Sequence, residues 1–170
     1  FAFESLAMSK NIHLQVECPV PAAVLPFDRD KMEQVFTNLI SNALKFTPEG
    51  GGVQVRAVAD ATKSILRVEV SDTGIGIPED QLPLVFERFF QSNAGSRLHA
   101  SGSGIGLALT KELTQLHGGS IGAESRPGQG SVFFIELPVQ SFTAISSTAA
   151  PEKPANLSES IAPQSALPDA

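Results

Sequence analysis

Three short stretches of the chain carry residue types that can do chemistry. In the first, Asn38-Leu-Ile-Ser-Asn42-Ala-Leu-Lys45-Phe46, two amides and a lysine recur at i, i+4 and i+7. At the helical step of 100° per residue they fall on one narrow arc. Gln34 and Ser41 extend that arc, and Met32, Val35, Phe36, Leu39, Ile40, Ala43 and Leu44 fill the rest of the circumference. Asparagine costs a helix roughly half a kcal/mol relative to alanine. A merely solvated stripe is more often built from Glu and Lys, which pair at i, i+4. A carboxamide oxygen can coordinate Mg²⁺ without adding negative charge beside phosphates, and a lysine offers those phosphates a point charge. The arc therefore reads either as such a site or as an ordinary solvent-facing stripe.

The second stretch is Val68-Glu-Val-Ser-Asp72-Thr-Gly74-Ile-Gly76-Ile77-Pro78. Leu66, Val68 and Val70 share one face of a strand, and Asp72 keeps their parity, so its carboxylate points into the covering layer. A carboxylate there is costly without donors. An exocyclic amine such as adenine N6 is one candidate donor; an aspartate closing a turn is the alternative, since Asp-Thr-Gly also reads as a turn. Gly74 and Gly76 let backbone approach a flat ring closely. The third stretch, Ser101-Gly102-Ser-Gly104-Ile105-Gly106-Leu107, opens a helix. Glycines at a helix N-terminus present NH groups and a positive dipole end, which suits phosphate. No Gly-Lys-Ser/Thr occurs, so this is not a P-loop. The glycine spacing and the lack of a feeding strand also exclude the dinucleotide fingerprint.

The elements that must hold these stretches follow from periodicity. Glu4 to Lys10 reads as the end of a helix. Ile12–Cys18, Val53–Ala59 and Ser64–Ser71 alternate apolar and polar residues as half-buried strands. A short strand is expected near Val24 and Leu25. Asp28 or Asp30 can cap a long helix running to Phe46, stopped by Pro48 and Gly50-Gly51-Gly52. Pro78 to Phe90 should hold a short helix. Gln91 to Ser101 reads as a mobile loop, and Gly104 to His117 as a helix ended by Gly118-Gly119. Ser120–Ser125 and Ser131–Leu137 form a hairpin around Arg126-Pro-Gly-Gln-Gly130. Strands with one apolar face and helices to cover it predict an α+β fold. The expected form is a two-layer α/β sandwich with a mixed, mostly antiparallel sheet covered on one face by about three helices.

Residues 1–10 then end a linker helix, 11–139 form one domain, and 140–170, rich in Ser, Ala and Pro without periodicity, read as a disordered linker or tail. The chain of 170 residues carries 18 acidic against 12 basic residues, a net charge of -6. That balance is a poor electrostatic match to nucleic acid, and no direct membrane contact is expected of this domain. The single cysteine excludes an internal disulfide. Cys18 is in phase with apolar strand residues and reads as a buried, inert thiol. No apolar run reaches the length of a membrane span. A chain opening on Phe1 reads as a piece of something longer, which could itself be membrane-anchored.

Taken in order, Asn-x-x-x-Asn-x-x-Lys-Phe on a helix, Asp-x-Gly-x-Gly-Ile after a strand, Phe86-Glu-Arg88-Phe89-Phe90, and Gly-x-Gly-x-Gly-Leu before a helix resemble the catalytic ATP-binding domain of sensor histidine kinases. These share a superfamily with gyrase-type topoisomerases, a heat-shock chaperone and a mismatch-repair protein. The resemblance covers Glu4 to Pro138 and implies the Bergerat-type ATP-binding fold, with ATP and Mg²⁺ as ligands. It implies that Asn42 coordinates Mg²⁺, that Asn38 assists metal and phosphates, that Lys45 reaches the phosphates and that Phe46 packs beside the nucleotide. Asp72 would accept from adenine N6, backed by Gly74, with Gly76 and Ile77 lining the base pocket and Ser131 assisting through water. Gly102, Gly104 and Gly106 would wrap the phosphates, with Ile105 among the nucleotide-binding residues, and Leu107 would follow them into the helix. The loop Gln91–Ser101 would be the ATP lid and carry Arg97; Arg88 would face either phosphates or a partner domain.

In the ATP-hydrolysing branches of that superfamily a glutamate stands four residues before the metal-binding asparagine. Here the position is Asn38, and an amide cannot act as a general base near neutral pH. The resemblance therefore implies γ-phosphoryl transfer to a presented histidine rather than hydrolysis, with Asn38 and Lys45 as the catalytic pair. His13, His99 and His117 all lie outside a phosphoacceptor pattern, so the acceptor is expected on dimerisation helices preceding Phe1. The implied setting is a cytoplasmic domain of a homodimeric kinase serving a response-regulator receiver domain, with no nucleic-acid partner. Three rivals stay open: a serine-type kinase of the same superfamily, a non-catalytic nucleotide-binding module, and an ATP-driven clamp, which Asn38 disfavours.

Overall fold

The computed structural model describes residues 2–20, 22–24, 27–92 and 102–143. Most of the expected lid, with Arg97, His99 and Ser101, lies outside these residues, as does the tail from residue 144.

Helix α1 (Ala2–Ser9) stops where Asn11 adopts φ 51° and the Ile12 amide turns back to the Ala7 carbonyl at 2.8 Å. That left-handed closure suits asparagine better than most residues. Strand β1 (His13–Glu17) follows, and then the three-residue strand β2 (Ala22–Val24). Helix α2 (Arg29–Phe46) is capped by Asp28, whose Oδ1 accepts from the Asp30 and Lys31 amides at 3.0 and 3.2 Å. The cap gives partners to two of the amides that a helix leaves unsatisfied in its first turn. Strands β3 (Gly52–Asp60) and β4 (Ile65–Asp72), helix α3 (Gly106–Leu116), and strands β5 (Ser120–Arg126) and β6 (Gly130–Pro138) complete the domain. The main sheet has the order β1-β3-β4-β6-β5, parallel only at the β1–β3 edge.

Alternation along the central strands sorts the two sheet faces. Val53, Ala57, Val68, Val70, Phe133, Ile135 and Leu137 are buried against the stripe Met32, Val35, Leu39, Ala43 and Leu44 of α2. Each buried Val, Leu, Ile, Phe or Met among these stabilises by about 1.5–3 kcal/mol. On the opposite face Arg67 reaches Glu69 at 2.7 Å and Glu136 at 3.1 Å, and lies 3.7 Å from the centre of the Phe134 ring. The two-layer α+β sandwich expected from the strand and helix patterns is the observed one.

Three local expectations fail. Pro78–Phe90 contains no α-helix, only a 3₁₀ turn at Leu82–Leu84. Pro83 has no amide to bond back toward Glu79, so after a single i+4 bond from Leu82 to Pro78 the chain proceeds through i+3 bonds, and Phe89 reverses it at φ 65°. Cys18 is exposed. Strand β1 ends one residue before it, and Val16, on the same parity, is already 67% exposed, because this edge strand runs beyond the covering layer. Finally, Ser141–Thr143 forms strand β7, antiparallel to β2, so part of the segment placed in the tail by composition joins a two-stranded ribbon.

Candidate functional site

Strand β4 ends on Asp72, whose register partners are Val53 on one side and Ser131 on the other. Its Oδ1 accepts from the Gly74 amide at 2.8 Å and from the Ser131 amide at 3.3 Å; neither bond uses Oδ2. Burial holds the Asp72 carboxyl above the usual carboxylate range, and the two amides only partly offset it. A Cβ on Gly74 would lie 2.5 Å from the Phe46 carbonyl oxygen, and one on Gly76, at φ 67°, would lie 2.0 Å from that of Arg126. The loop after β4 is thus wedged between the end of α2 and the β5–β6 hairpin. The Ile75 amide bonds Phe46, the Gly128 amide bonds Ile75, and the Ile77 amide bonds Ser125 Oγ at 2.8 Å.

Helix α2 supplies the second wall. Asn42 and Lys45 face the same cavity as Asp72, with Phe46 beside them. Among the described residues the Asn42 carboxamide has no hydrogen-bond partner. Asn38 Nδ2 donates to the Gly106 carbonyl at 3.2 Å, and Asn38 lines the same cavity. Lys45 Nζ stands 5.0 Å from the centre of the Phe46 ring, and partial burial lowers its pKa from the ordinary lysine value. The third wall is the glycine segment before α3. The Phe89 amide bonds the Gly104 carbonyl at 2.8 Å, and a Cβ at Gly104 would strike Phe89 backbone. A Cβ on Gly102 would meet Lys45 Nζ at 2.9 Å.

These walls enclose a cavity of about 600 Å³, within the range that holds a nucleotide-sized ligand. It brings together Asn38, Asn42, Lys45, Phe46, Asp72, Gly76, Ile77, Gly102, Gly104, Gly106, Leu107 and Ser131. Gly74 stands behind Asp72 rather than on the wall. Ile105 is 42% exposed and does not line the cavity. Arg88 does not line it either: it pairs with Glu112 at 2.6 Å across a separate, shallow polar depression, so a phosphate contact for Arg88 has no support from its placement. Arg97 lies outside the described residues. Phe133, Ile75, Val85, Phe90, Gln91, Ser92 and Ser103 also line the cavity and were missed. Phe133 shares the inward parity of Ser131, and Ile75 sits between the two glycines, so both were within reach of the sequence; the others sit on irregular backbone without a periodic signal.

The donor set fits a magnesium nucleotide. A neutral amide without a partner among the described residues, a partly desolvated lysine, helix-terminal glycines and a buried acid converge on one cavity. Among the described residues no three His, Cys, Asp or Glu side chains cluster as a metal site, so a cation here would lean on Asn42 and ligand oxygens.

Comparison with known proteins agrees with this geometry. Residues 27–141 match the family described as histidine kinase-, DNA gyrase B- and HSP90-like ATPase. Over 139 residues the chain is 41% identical to the circadian input-output histidine kinase CikA of Synechocystis, covering 81% of this chain but 18% of that protein. The solved catalytic domain of the histidine kinase ThkA superposes with a TM-score of 0.69 at 30% identity, covering 81% of this chain and 85% of that one. Full-length ShkA in complex with AMPPNP superposes with a TM-score of 0.70 at 32% identity, over 81% and 28% of the two chains. ThkA in complex with the response regulator TrrA gives 0.65 at 28% identity, over 81% and 37%. A buried acid at a strand end, an amide-bearing helix and a glycine-led helix around one cavity, with these likenesses, place the chain in the histidine kinase-, DNA gyrase B- and HSP90-like ATPase family.

Proposed function

We propose that this chain is the ATP-binding catalytic domain of a two-component sensor histidine kinase. It would transfer the γ-phosphoryl group of Mg·ATP to a histidine on a separate dimerisation domain, for relay to a response-regulator aspartate. The observation that carries this reading is the placement of Asp72 and Asn42 on two walls of one cavity, with Lys45 Nζ beside Gly102, where the phosphates would lie. Asp72 Oδ2 is the acceptor for the adenine amine, and Ile77 and Phe133 enclose the base. Asn42, assisted by Asn38, would hold Mg²⁺, which neutralises charge on the phosphate oxygens when bound. Lys45 and the amides of the Gly102–Gly106 segment orient the triphosphate. In the transfer the histidine nitrogen–phosphorus bond forms, the bond from the γ-phosphorus to the β,γ-bridging oxygen breaks, and ADP leaves. With the amide of Asn38 where the hydrolysing branches carry a glutamate, that position offers water no general base, and transfer is favoured over hydrolysis.

The homodimeric parent, its acceptor helices and its receiver partner belong to the same proposal. So do the division into linker helix, catalytic domain and a tail that begins after Thr143, and a cytoplasmic setting. Among the described residues no helix is long and apolar enough to cross a membrane. The test is phosphotransfer from γ-labelled ATP to the separately expressed dimerisation helices of the parent. Acid-labile, alkali-stable label on those helices, absent with Asn42→Ala, is expected. Label on a serine, or ATP binding with no transfer at all, would favour a serine kinase or a non-catalytic module instead.

A further inference from the structure

Ser125 on β5 and Ser131 on β6 are register partners, with their hydroxyl oxygens 3.0 Å apart. The Ser125 oxygen lies 2.8 Å from the Gly130 carbonyl oxygen, and the Ile77 amide donates to it at 2.8 Å. A carbonyl oxygen only accepts, so the single Ser125 proton is committed to Gly130. An amide only donates, so it occupies one Ser125 lone pair. The one arrangement that satisfies all three contacts has the Ser131 hydroxyl donating to the second lone pair. The reverse polarity would set two acceptors 2.8 Å apart. Ser131 has no other hydroxyl partner among the described residues and lines the cavity beside Asp72, to which its amide is bonded.

We infer that Ser125 is a specificity-determining positioning residue. By taking the Ser131 proton, it turns the base end of the cavity into a wall of acceptors only, Asp72 and Ser131 Oγ. Such a wall accepts the 6-amino group of adenine, a donor, and opposes a 6-oxo purine, whose oxygen would face lone pairs. With Ser125 removed, the Ser131 hydroxyl can rotate and donate to that oxygen. This rests on the nucleotide reading above but adds a residue that does not line the cavity.

Competition of ATP and inosine triphosphate for the chain, against a fluorescent ATP analogue, reads the preference directly. The unmodified chain should prefer ATP. Ser125→Ala should lower that preference about tenfold, chiefly by gaining inosine triphosphate, and Ser125→Thr, which keeps the hydroxyl, should restore it. If Ser125→Ala folds poorly by thermal melt, Ser131→Ala gives the second readout: ATP should weaken while inosine triphosphate does not. An unchanged ratio in folded Ser125→Ala, or unchanged ATP affinity in Ser131→Ala, overturns the inference while the nucleotide reading stands. An unmodified chain that binds neither triphosphate overturns both.

Discussion

Asn38 and Gly106 are joined across the cavity. The asparagine Nδ2 donates to the glycine carbonyl at 3.2 Å and also approaches Thr110 Oγ1 at 3.4 Å. A side chain that the sequence marks for ligand chemistry thus also fastens α2 to the first turn of α3. Removing it leaves the Gly106 carbonyl to Thr110 alone, which already donates to it at 2.9 Å. Asn38→Ala should cost about 1 kcal/mol in the nucleotide-free domain, seen as a drop of a few degrees in Tm. Asn38→Asp should cost at least as much despite its similar size, since a carboxylate cannot donate to a carbonyl. A Tm unchanged in both variants would show that the clamp contributes nothing.

Asp72 should separate binding from stability. Its carboxyl is held above the usual range by burial, so the folded chain binds this proton more tightly than the unfolded chain does. Linkage then makes its contribution greatest below the unfolded pKa and lost as pH rises through the folded value. At pH 7 the ionised acid is therefore a cost to the nucleotide-free fold. Asp72→Asn, which can still accept from the Gly74 and Ser131 amides, should melt at or above the parent Tm at pH 7, with the gap closing toward pH 4. Its affinity for ATP should fall about 10–100-fold, the worth of a hydrogen bond to a charged acceptor. Paired melts and nucleotide titrations across pH check both halves.

Lys10 closes the far end of the amide-bearing helix. Its Nζ bonds the Leu44 carbonyl and lies 3.4 and 3.5 Å from those of Lys45 and Thr47. A cation there meets the negative end of the α2 dipole. Lys10→Met should destabilise the domain by about 0.5–1.5 kcal/mol and weaken triphosphate binding, because Lys45 and Phe46 sit on that last turn. Lys10→Arg should recover most of the stability. Melts and titrations of the two variants side by side make the comparison.

Two glycines should fail differently. An alanine methyl at Gly76 would lie 2.0 Å from the Arg126 carbonyl oxygen on a backbone at φ 67°. Neither neighbour can move far, so Gly76→Ala should cost about 1–3 kcal/mol from the backbone conformation alone. At Gly102 the nearest atom is the end of the flexible Lys45 side chain. Gly102→Ala should keep its Tm, yet lose affinity for ATP more than for adenosine, because it displaces the lysine from the phosphates. Denaturation curves and parallel ATP and adenosine titrations distinguish the two outcomes.

Periodicity made the two layers and the inward parity of Asp72 legible, because β3, β4 and β6 alternate cleanly and α2 carries a continuous apolar stripe. The motif order made most of the cavity wall legible too. What stayed hidden depends on tertiary contact. Arg88 belongs to a conspicuous aromatic motif, but only the fold shows it turned toward Glu112 on α3. Val85 and Phe90 reach the cavity from i+3 turns that have no repeating pattern. Cys18 looked buried because alternation continues past the point where the covering layer ends. Ser125 has an unremarkable strand position, and its importance appears only when Ile77, Gly130 and Ser131 are seen around one hydroxyl.

The most direct test of the central claim is titration of the chain with a fluorescent ATP analogue, with and without Mg²⁺, for the parent, Asn42→Ala and Asp72→Asn. The account predicts saturable binding to the parent that strengthens with Mg²⁺. It predicts loss of the Mg²⁺ dependence in Asn42→Ala and loss of most affinity in Asp72→Asn, with both variants folded. Equal, Mg²⁺-independent binding by all three, or no binding by a folded parent chain, would contradict it.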